Sequence, residues 1–246
     1  MTLTKHVPNL ITCLNLAMGF IAIIFAAGND LIVSSWLIAA AMVFDFLDGF
    51  SARLLKAYSD IGKELDSLAD IVSFGIAPAM IVFQLISYGS TAGADSCSYF
   101  CNPGTLKYIT VLMPVCAALR LAKFNTDTTQ TRSFKGLPTP ANALAVISVV
   151  IAAHYSDAAV FELFLKSPVA VTVYMIVLSL MMVSGIPLIS LKMSNLGIKG
   201  NEGQYILFGL VIVSLILLGI ASAPLFIPFY IIASLISPMF AGKTEG

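Results

Sequence analysis

Four aspartates stand in otherwise apolar runs, VFDFLDGFSAR at 43–53 and GKELDSLAD at 62–70. At 3.6 residues per turn, Asp45, Asp48, Gly49, Ala52 and Arg53 line one stripe of a helix. Gly62, Asp66 and Asp70 recur every fourth residue and line one stripe of the next. The connection between them, about residues 54–61, is short, so the two helices should be antiparallel neighbours whose polar stripes face each other across a cleft. Gly49, Ala52 and Gly62 carry almost no side chain, so the backbone there can approach a ligand closely.

Magnitude separates the readings of this cluster. A carboxylate in mid-bilayer costs roughly 2.5–3.5 kcal/mol even on a mild insertion scale, and four would cost on the order of 10 kcal/mol. Arg53 offsets one of them. Acids at helix ends are often merely solvated by water, and Asp60 and Glu64, in the first turn of the third segment, fit that description. For the other four, divalent cations resolve the mutual repulsion, and an all-oxygen cage suits hard ions such as Mg²⁺ or Mn²⁺. Two such ions can clamp a pyrophosphate and hold attacking and leaving oxygens in line. A carboxylate at the cleft edge can take the proton of an attacking hydroxyl. The chemistry expected is metal-dependent transfer on a phosphate-bearing lipid.

The elements that must position these acids belong to a membrane. Of the 246 residues, 59% are hydrophobic and only 11% charged, with a mean hydropathy of +0.95. Soluble domains run nearer 45–50% apolar and about 25% charged. Eight apolar stretches are long enough to be spans, approximately 8–27, 31–54, 61–88, 105–124, 141–156, 168–188, 204–222 and 224–241. The expected fold is therefore an all-α polytopic bundle of about eight transmembrane helices in one domain, residues 1–246. The first stretch follows a single Lys and has no A-x-A-like site, so it reads as a span rather than a cleavable signal. Placing the N-terminus in the cytoplasm puts Lys5, Arg53, Lys56, Lys63, Arg120, Lys123, Arg132, Lys135, Lys192, Lys199 and Lys243 on that side, against Lys107 and Lys166 opposite. That positive-inside bias predicts both termini, and the active site, on the cytoplasmic side.

Other features narrow the partners. Thirteen basic residues balance thirteen acidic ones, so no basic surplus exists to hold nucleic acid. His6 and His154 are far apart and form no metal pattern. Cys13 and Cys116 lie in apolar segments as small hydrophobes. Cys97 and Cys101 share a polar loop, as free thiols or, in an oxidising compartment, as a disulfide. A homodimer is left open.

The run Asp45-x2-Asp48-Gly49-x2-Ala52-Arg53-x8-Gly62-x3-Asp66-x3-Asp70 resembles the signature of the CDP-alcohol phosphatidyltransferases, with every fixed position filled. The resemblance implies that Asp45 and Asp66 bridge two metal ions, Mg²⁺ or Mn²⁺. Asp48 would complete the first site, and Asp70 would complete the second and act as general base. It also places Gly49, Arg53 and Ser59 against the head of CDP-diacylglycerol, and makes Pro8-Asn9-Leu10-Ile11-Thr12 a nucleotide-side segment. Read without the family, Asn9 is an N-terminal helix cap.

Weaker matches look like the serine-using branch of that family. They are Asn15, Gly19, Ser73-Phe74-Gly75-Ile76-Ala77-Pro78, Arg120 to Asn125, and Gly136-Leu137-Pro138-Thr139-Pro140-Ala141-Asn142. The implied reaction joins CDP-diacylglycerol and L-serine to give phosphatidylserine and CMP, with Arg120 and Lys135 as acceptor-binding candidates. Ordinary positive-inside charge is the alternative for those two. Glycerol-3-phosphate or an inositol phosphate is the rival acceptor, and would want a denser basic pocket. From another class, a carboxylate-lined ion or metal transporter would spread its acids over several helices near the midplane.

Overall fold

A computed structural model of the chain describes residues 6–89, 103–126, 134–189 and 201–241. The first two helices form a tight hairpin, α1 (His6–Ala27) and α2 (Leu31–Leu54), which pack along each other. The turn between them suits its residues. Asn29 takes a positive φ of 64°, a conformation Asn tolerates, and the Asp30 side chain accepts from the Val33 amide at 3.2 Å to cap α2.

Helix α3 (Asp60–Asp70) is capped by Ser59, whose Oγ accepts from the Gly62 amide at 3.0 Å. It runs without a break through a wide π turn (Ile71–Ile76) into α4 (Ala77–Gly89). This helix, Asp60–Ser87 as an apolar span, is the most buried of the long ones, and its π turn directly follows Asp70. Wide turns of this kind commonly sit at functional sites.

A short α5 (Pro103–Leu106) and a 3₁₀ turn (Lys107–Val111) lead into α6 (Leu112–Thr126). Then comes β1 (Phe134–Lys135), which pairs antiparallel with β2 (Pro187–Leu188). This two-residue ladder is an addition to the all-helical expectation. It ties the start of α7 (Thr139–Tyr155) to the end of α9 (Pro168–Val183), and Gly136 makes the tie at φ +80° by donating to the Ile186 carbonyl at 2.9 Å. Between α7 and α9 lies α8 (Ala159–Leu165), set at 87° to α9. The chain ends in α10 (Glu202–Leu218), a 3₁₀ segment (Gly219–Leu225) and α11 (Phe226–Ala241).

Five described helical stretches are long and apolar enough to cross a bilayer, six if α8 and α9 form one bent span. Large apolar side chains such as Phe20, Trp36, Phe46, Ile216 and Leu217 are exposed, as lipid-facing residues are. The chain is an integral membrane protein.

The expected eight stretches fall on helices, apart from the end of 168–188 on β2, and five or six of the described helical stretches have the length of a crossing. Helix α7 is 17 residues long and buried almost all round, which marks a central helix of the bundle. The last two stretches form one run of helical backbone, Gly203–Ile236. Yet α10 and α11 pack against each other, so the run folds back at its 3₁₀ segment, where Gly219 has φ +56°. Each arm falls short of the roughly 20 residues a perpendicular span needs. Cys97 and Cys101 lie outside the described residues, as do residues 90–102, 127–133 and 190–200 of the three long connections.

One backbone contact sets the site. A Cβ on Gly19 would lie 2.7 Å from the Ser73 Cα, so α1 rests directly on the π turn. Gly19→Ala is expected to destabilise the protein by about 1–3 kcal/mol through overpacking. Gly209→Ala, with nothing within 4 Å of the added carbon, is the comparison. Thermal unfolding in detergent reads both, and equal midpoints would show that α1 yields without cost.

Candidate active site

The first polar stripe sits at the C-terminal end of α2, the second along α3. The carboxylates of the two helices face each other, as the short connection led us to expect, and α1 packs along α2 and against α3. One carboxylate oxygen from each of Asp45, Asp48 and Asp66 lies within 4.8 Å of the others. The Asp70 carboxyl neighbours that of Asp45. Asp48 and Asp70 are 6% and 8% exposed, and one oxygen of each is buried without a hydrogen-bond partner among the described residues.

Anionic oxygens this close, in this much apolar surrounding, repel one another unless a cation lies between them. The donor set is all carboxylate, and its orphaned oxygens offer lone pairs that a cation can take. The residues therefore fit hard divalent ions.

Asp70 is held from the far side. Thr139 Oγ1 donates to Asp70 Oδ2 at 3.2 Å and accepts from Arg120 Nη1 at 3.4 Å. Arg120 is drawn into the bundle as a half-buried cation beside Asp70, with the neutral Tyr230 side chain of α11 also near it. It is thus more than loop-end charge. Sequence reasoning passed over Thr139 as a site residue, although it stands in the Gly136–Asn142 run already singled out.

A cavity of about 500 Å³ opens beside the acids, lined among others by Asn9, Thr12, Gly49, Ala52, Arg53, Ser59, Gly62, Asp48 and Asp66. All seven residues expected at the donor head are thus gathered at one place. Tyr58, Lys63 and Phe124 also line it, and only their place near the helix ends that carry the acids could have pointed to them.

Two local readings change. Asn9 is no helix cap, because α1 is already helical from His6, and its Oδ1 lies 2.9 Å from where a Gly62 Cβ would be. Ser59, expected at the donor head, is also the α3 cap. Lys135 lies on β1, and its side chain is not among the described ones. Among the described residues Arg53 pairs with no carboxylate, and its exposed side chain borders the cavity. Arg53→Lys keeps the charge but loses the planar fork that grips phosphate oxygens at two points. We expect a higher KM for the donor nucleotide-lipid and an unchanged unfolding midpoint. Wild-type kinetics would return Arg53 to surface charge.

Apolar helices around a carboxylate cluster, with a polar cavity at one end, define an integral membrane protein built to hold a charged, cation-binding group at the lipid boundary. A model of the CDP-alcohol phosphatidyltransferase family matches residues 5–186, and the chain belongs to that family. It is 30% identical over 240 residues to the CDP-diacylglycerol–serine O-phosphatidyltransferase of Helicobacter pylori (strain ATCC 700392 / 26695), covering 95% of this chain and 91% of the relative. It is 33% identical over 147 residues to the enzyme of the same name from Bacillus subtilis (strain 168), covering 58% and 74%. The archaetidylserine synthase of Methanothermobacter thermautotrophicus is 31% identical over 156 residues, covering 61% and 60%.

Proposed function

We propose that this protein transfers the phosphatidyl group of CDP-diacylglycerol to L-serine, releasing CMP. The observation that carries the reading is the opening of the Asp45, Asp48 and Asp66 cluster onto the cavity that gathers Asn9, Thr12, Gly49, Arg53 and Gly62. A cytidine diphosphate needs both: neutral, close-fitting walls for the nucleoside and a cation-holding floor for the pyrophosphate. The names of the relatives supply the serine.

Asp45, Asp48, Asp66 and Asp70 would hold the divalent cations. Bound there, Mg²⁺ or Mn²⁺ would neutralise the pyrophosphate and the charge that develops as it breaks. The chain's own groups do the rest. Arg53 grips a donor phosphate. Asp70, oriented by Thr139 and Arg120, accepts the hydroxyl proton of serine. The freed oxygen attacks the phosphorus that bears diacylglycerol, the bond from that phosphorus to the bridging oxygen breaks, and CMP carries that oxygen away. The lysine and arginine distribution supports a cytoplasmic position for the site and both termini.

The test is incubation of the purified full-length protein with CDP-diacylglycerol and L-serine, glycerol-3-phosphate, inositol phosphate or no acceptor. We expect phosphatidylserine and CMP in equal amounts from serine alone. A different phospholipid would overturn the acceptor, and no lipid product from any of them would overturn the transfer. Arg120→Ala should raise the KM for serine more than that for CDP-diacylglycerol. Equal changes in both would take Arg120 out of the acceptor site.

A further inference from the structure

The helices that carry the acids also border a second cavity, at their other end. Leu31 opens α2 and Asp48 lies near its close, roughly 25 Å apart at the helical rise. The α1–α2 turn and the ends of α4 and α7 surround a volume of about 850 Å³ there, within the range of ligand sites and larger than the cavity beside the acids. Part of its lining is apolar and buried or half-buried: Leu31, Ile32, Leu85, Val150 and Leu165. The rest is charged or polar, with Asp30 half-buried and His154, Asp157, Glu162 and Lys166 exposed. The cavity is thus apolar within and charged at its mouth.

Helix α8 forms one side of that mouth. Helix α9 packs against α4 and α6, so α8, at 87° to it, runs across the end of the bundle. Glu162, Leu165 and Lys166 share one face of α8 and line the cavity. Val160 and Leu163, three residues apart on another face, are 65% and 75% exposed. A helix divided in this way lies in the head-group layer of a bilayer with its apolar side toward the acyl chains. The cavity therefore opens among lipid heads, on the membrane face opposite the acids.

The charges at the mouth are only partly matched. Lys166 Nζ donates to Glu162 Oε1 at 2.6 Å and keeps further hydrogens to give. Asp30 uses Oδ1 to cap α2, and among the described residues neither it nor Asp157 pairs with a cation. Three carboxylates stand against one lysine, so the mouth has places for a cation and, beside Lys166, for an anion.

We propose that this cavity binds a phospholipid whose head bears one phosphate and one primary ammonium, as phosphatidylethanolamine does. The ammonium donates to Asp30 Oδ2 and to the Asp157 carboxylate. The phosphate accepts from Lys166 and His154, and the glycerol and upper chains lie against Leu31, Ile32, Leu85 and Val150. An anionic head without an amine, such as phosphoglycerol, leaves both aspartates unmatched and adds to their charge. A choline head brings the positive charge but has no N–H to donate. The bound lipid ties the α1–α2 turn to α7 and α8, and so braces the hairpin from the end remote from the acids.

The experiment uses the full-length protein in detergent micelles and titrates phosphatidylethanolamine, phosphatidylglycerol or phosphatidylcholine, reading the unfolding midpoint and the lipid retained in native mass spectrometry. No turnover is needed, so the result stands apart from the transfer reaction and its acceptor. We expect one phosphatidylethanolamine per chain, held at least about tenfold more tightly than either other lipid, with a midpoint that rises to match. Asp30→Asn keeps the helix cap and Asp157→Asn changes an exposed side chain, so the double variant should fold. It should hold phosphatidylethanolamine about 10- to 100-fold less tightly, the size of lost hydrogen bonds to charged groups, and no better than the other lipids. Soluble phosphoethanolamine, with the same charges and no chains, should compete at least about 100-fold less well, because it buries no apolar surface. Equal competition by that soluble head overturns a lipid as the occupant. Equal retention of the three lipids, or an undiminished preference in the double variant, overturns the site.

Discussion

Asp70→Asn is expected to lower turnover about 10²–10⁴-fold, the contribution of a positioned general base, while CDP-diacylglycerol binding largely survives. The substitution preserves size and one oxygen but cannot take a proton. Asp45, Asp48 and Asp66, whose oxygens lie within 4.8 Å of one another, remain to hold a cation against the pyrophosphate. Asp45→Asn should behave differently. Asp45 faces the cluster on one side and Asp70 on the other, so its loss weakens both cation positions and donor binding falls with turnover. The measurement is donor affinity beside single-turnover rate in both variants. If Asp70→Asn loses affinity as badly as Asp45→Asn, Asp70 is a ligand and nothing more. Thr139→Val supplies a companion, because it removes the donor that orients Asp70 Oδ2 without touching the cluster.

Stripping divalent ions should abolish activity, with recovery on adding Mg²⁺ or Mn²⁺. Four buried or half-buried acids share a small volume, and Arg120 is the cation that reaches Asp70. Without cations the site can hold neither the pyrophosphate's charge nor its own. Calcium should restore little, since its longer bonds and looser coordination misplace the phosphate oxygens. Full turnover after exhaustive chelation would remove the metal from the reading of the site, whatever the acids then do. The same titration has a readout besides turnover: the unfolding midpoint should rise when Mg²⁺ or Mn²⁺ is added to the stripped protein, because ligand binding to the folded state stabilises it.

Much of the site was legible from spacing. Asp45 and Asp48, or Asp66 and Asp70, share a face because helix geometry puts residues three and four apart on one side, and that follows from the covalent chain. The apolar lengths likewise foretold helices in a bilayer, since a backbone in lipid must satisfy its own hydrogen bonds. The residues of the cavity were legible as a set for the same reason: Gly49, Ala52, Arg53, Ser59 and Gly62 lie within one helix–turn–helix.

What spacing left unwritten is which helix meets which. The acids of α2 and α3 meet as expected, but it is α1 that packs along α2 and against α3 and joins them. Asn9 went from helix cap to cavity wall because α1 starts earlier than its polar residues suggested. The longest step was Thr139, 69 residues from Asp70 in sequence and hydrogen-bonded to it. In lipid an apolar face packs almost as well against acyl chains as against another helix, so hydrophobic pattern carries little record of helix pairing. Pairing is decided instead by small contacts that become visible when the chain is folded: Gly19 seated on Ser73, Gly136 threaded beside the end of α9, and Asn142 reaching the Phe74 carbonyl. The chain carries its acids and its spans in local spacing, and it acquires a site where α1, α3, α6 and α7 meet.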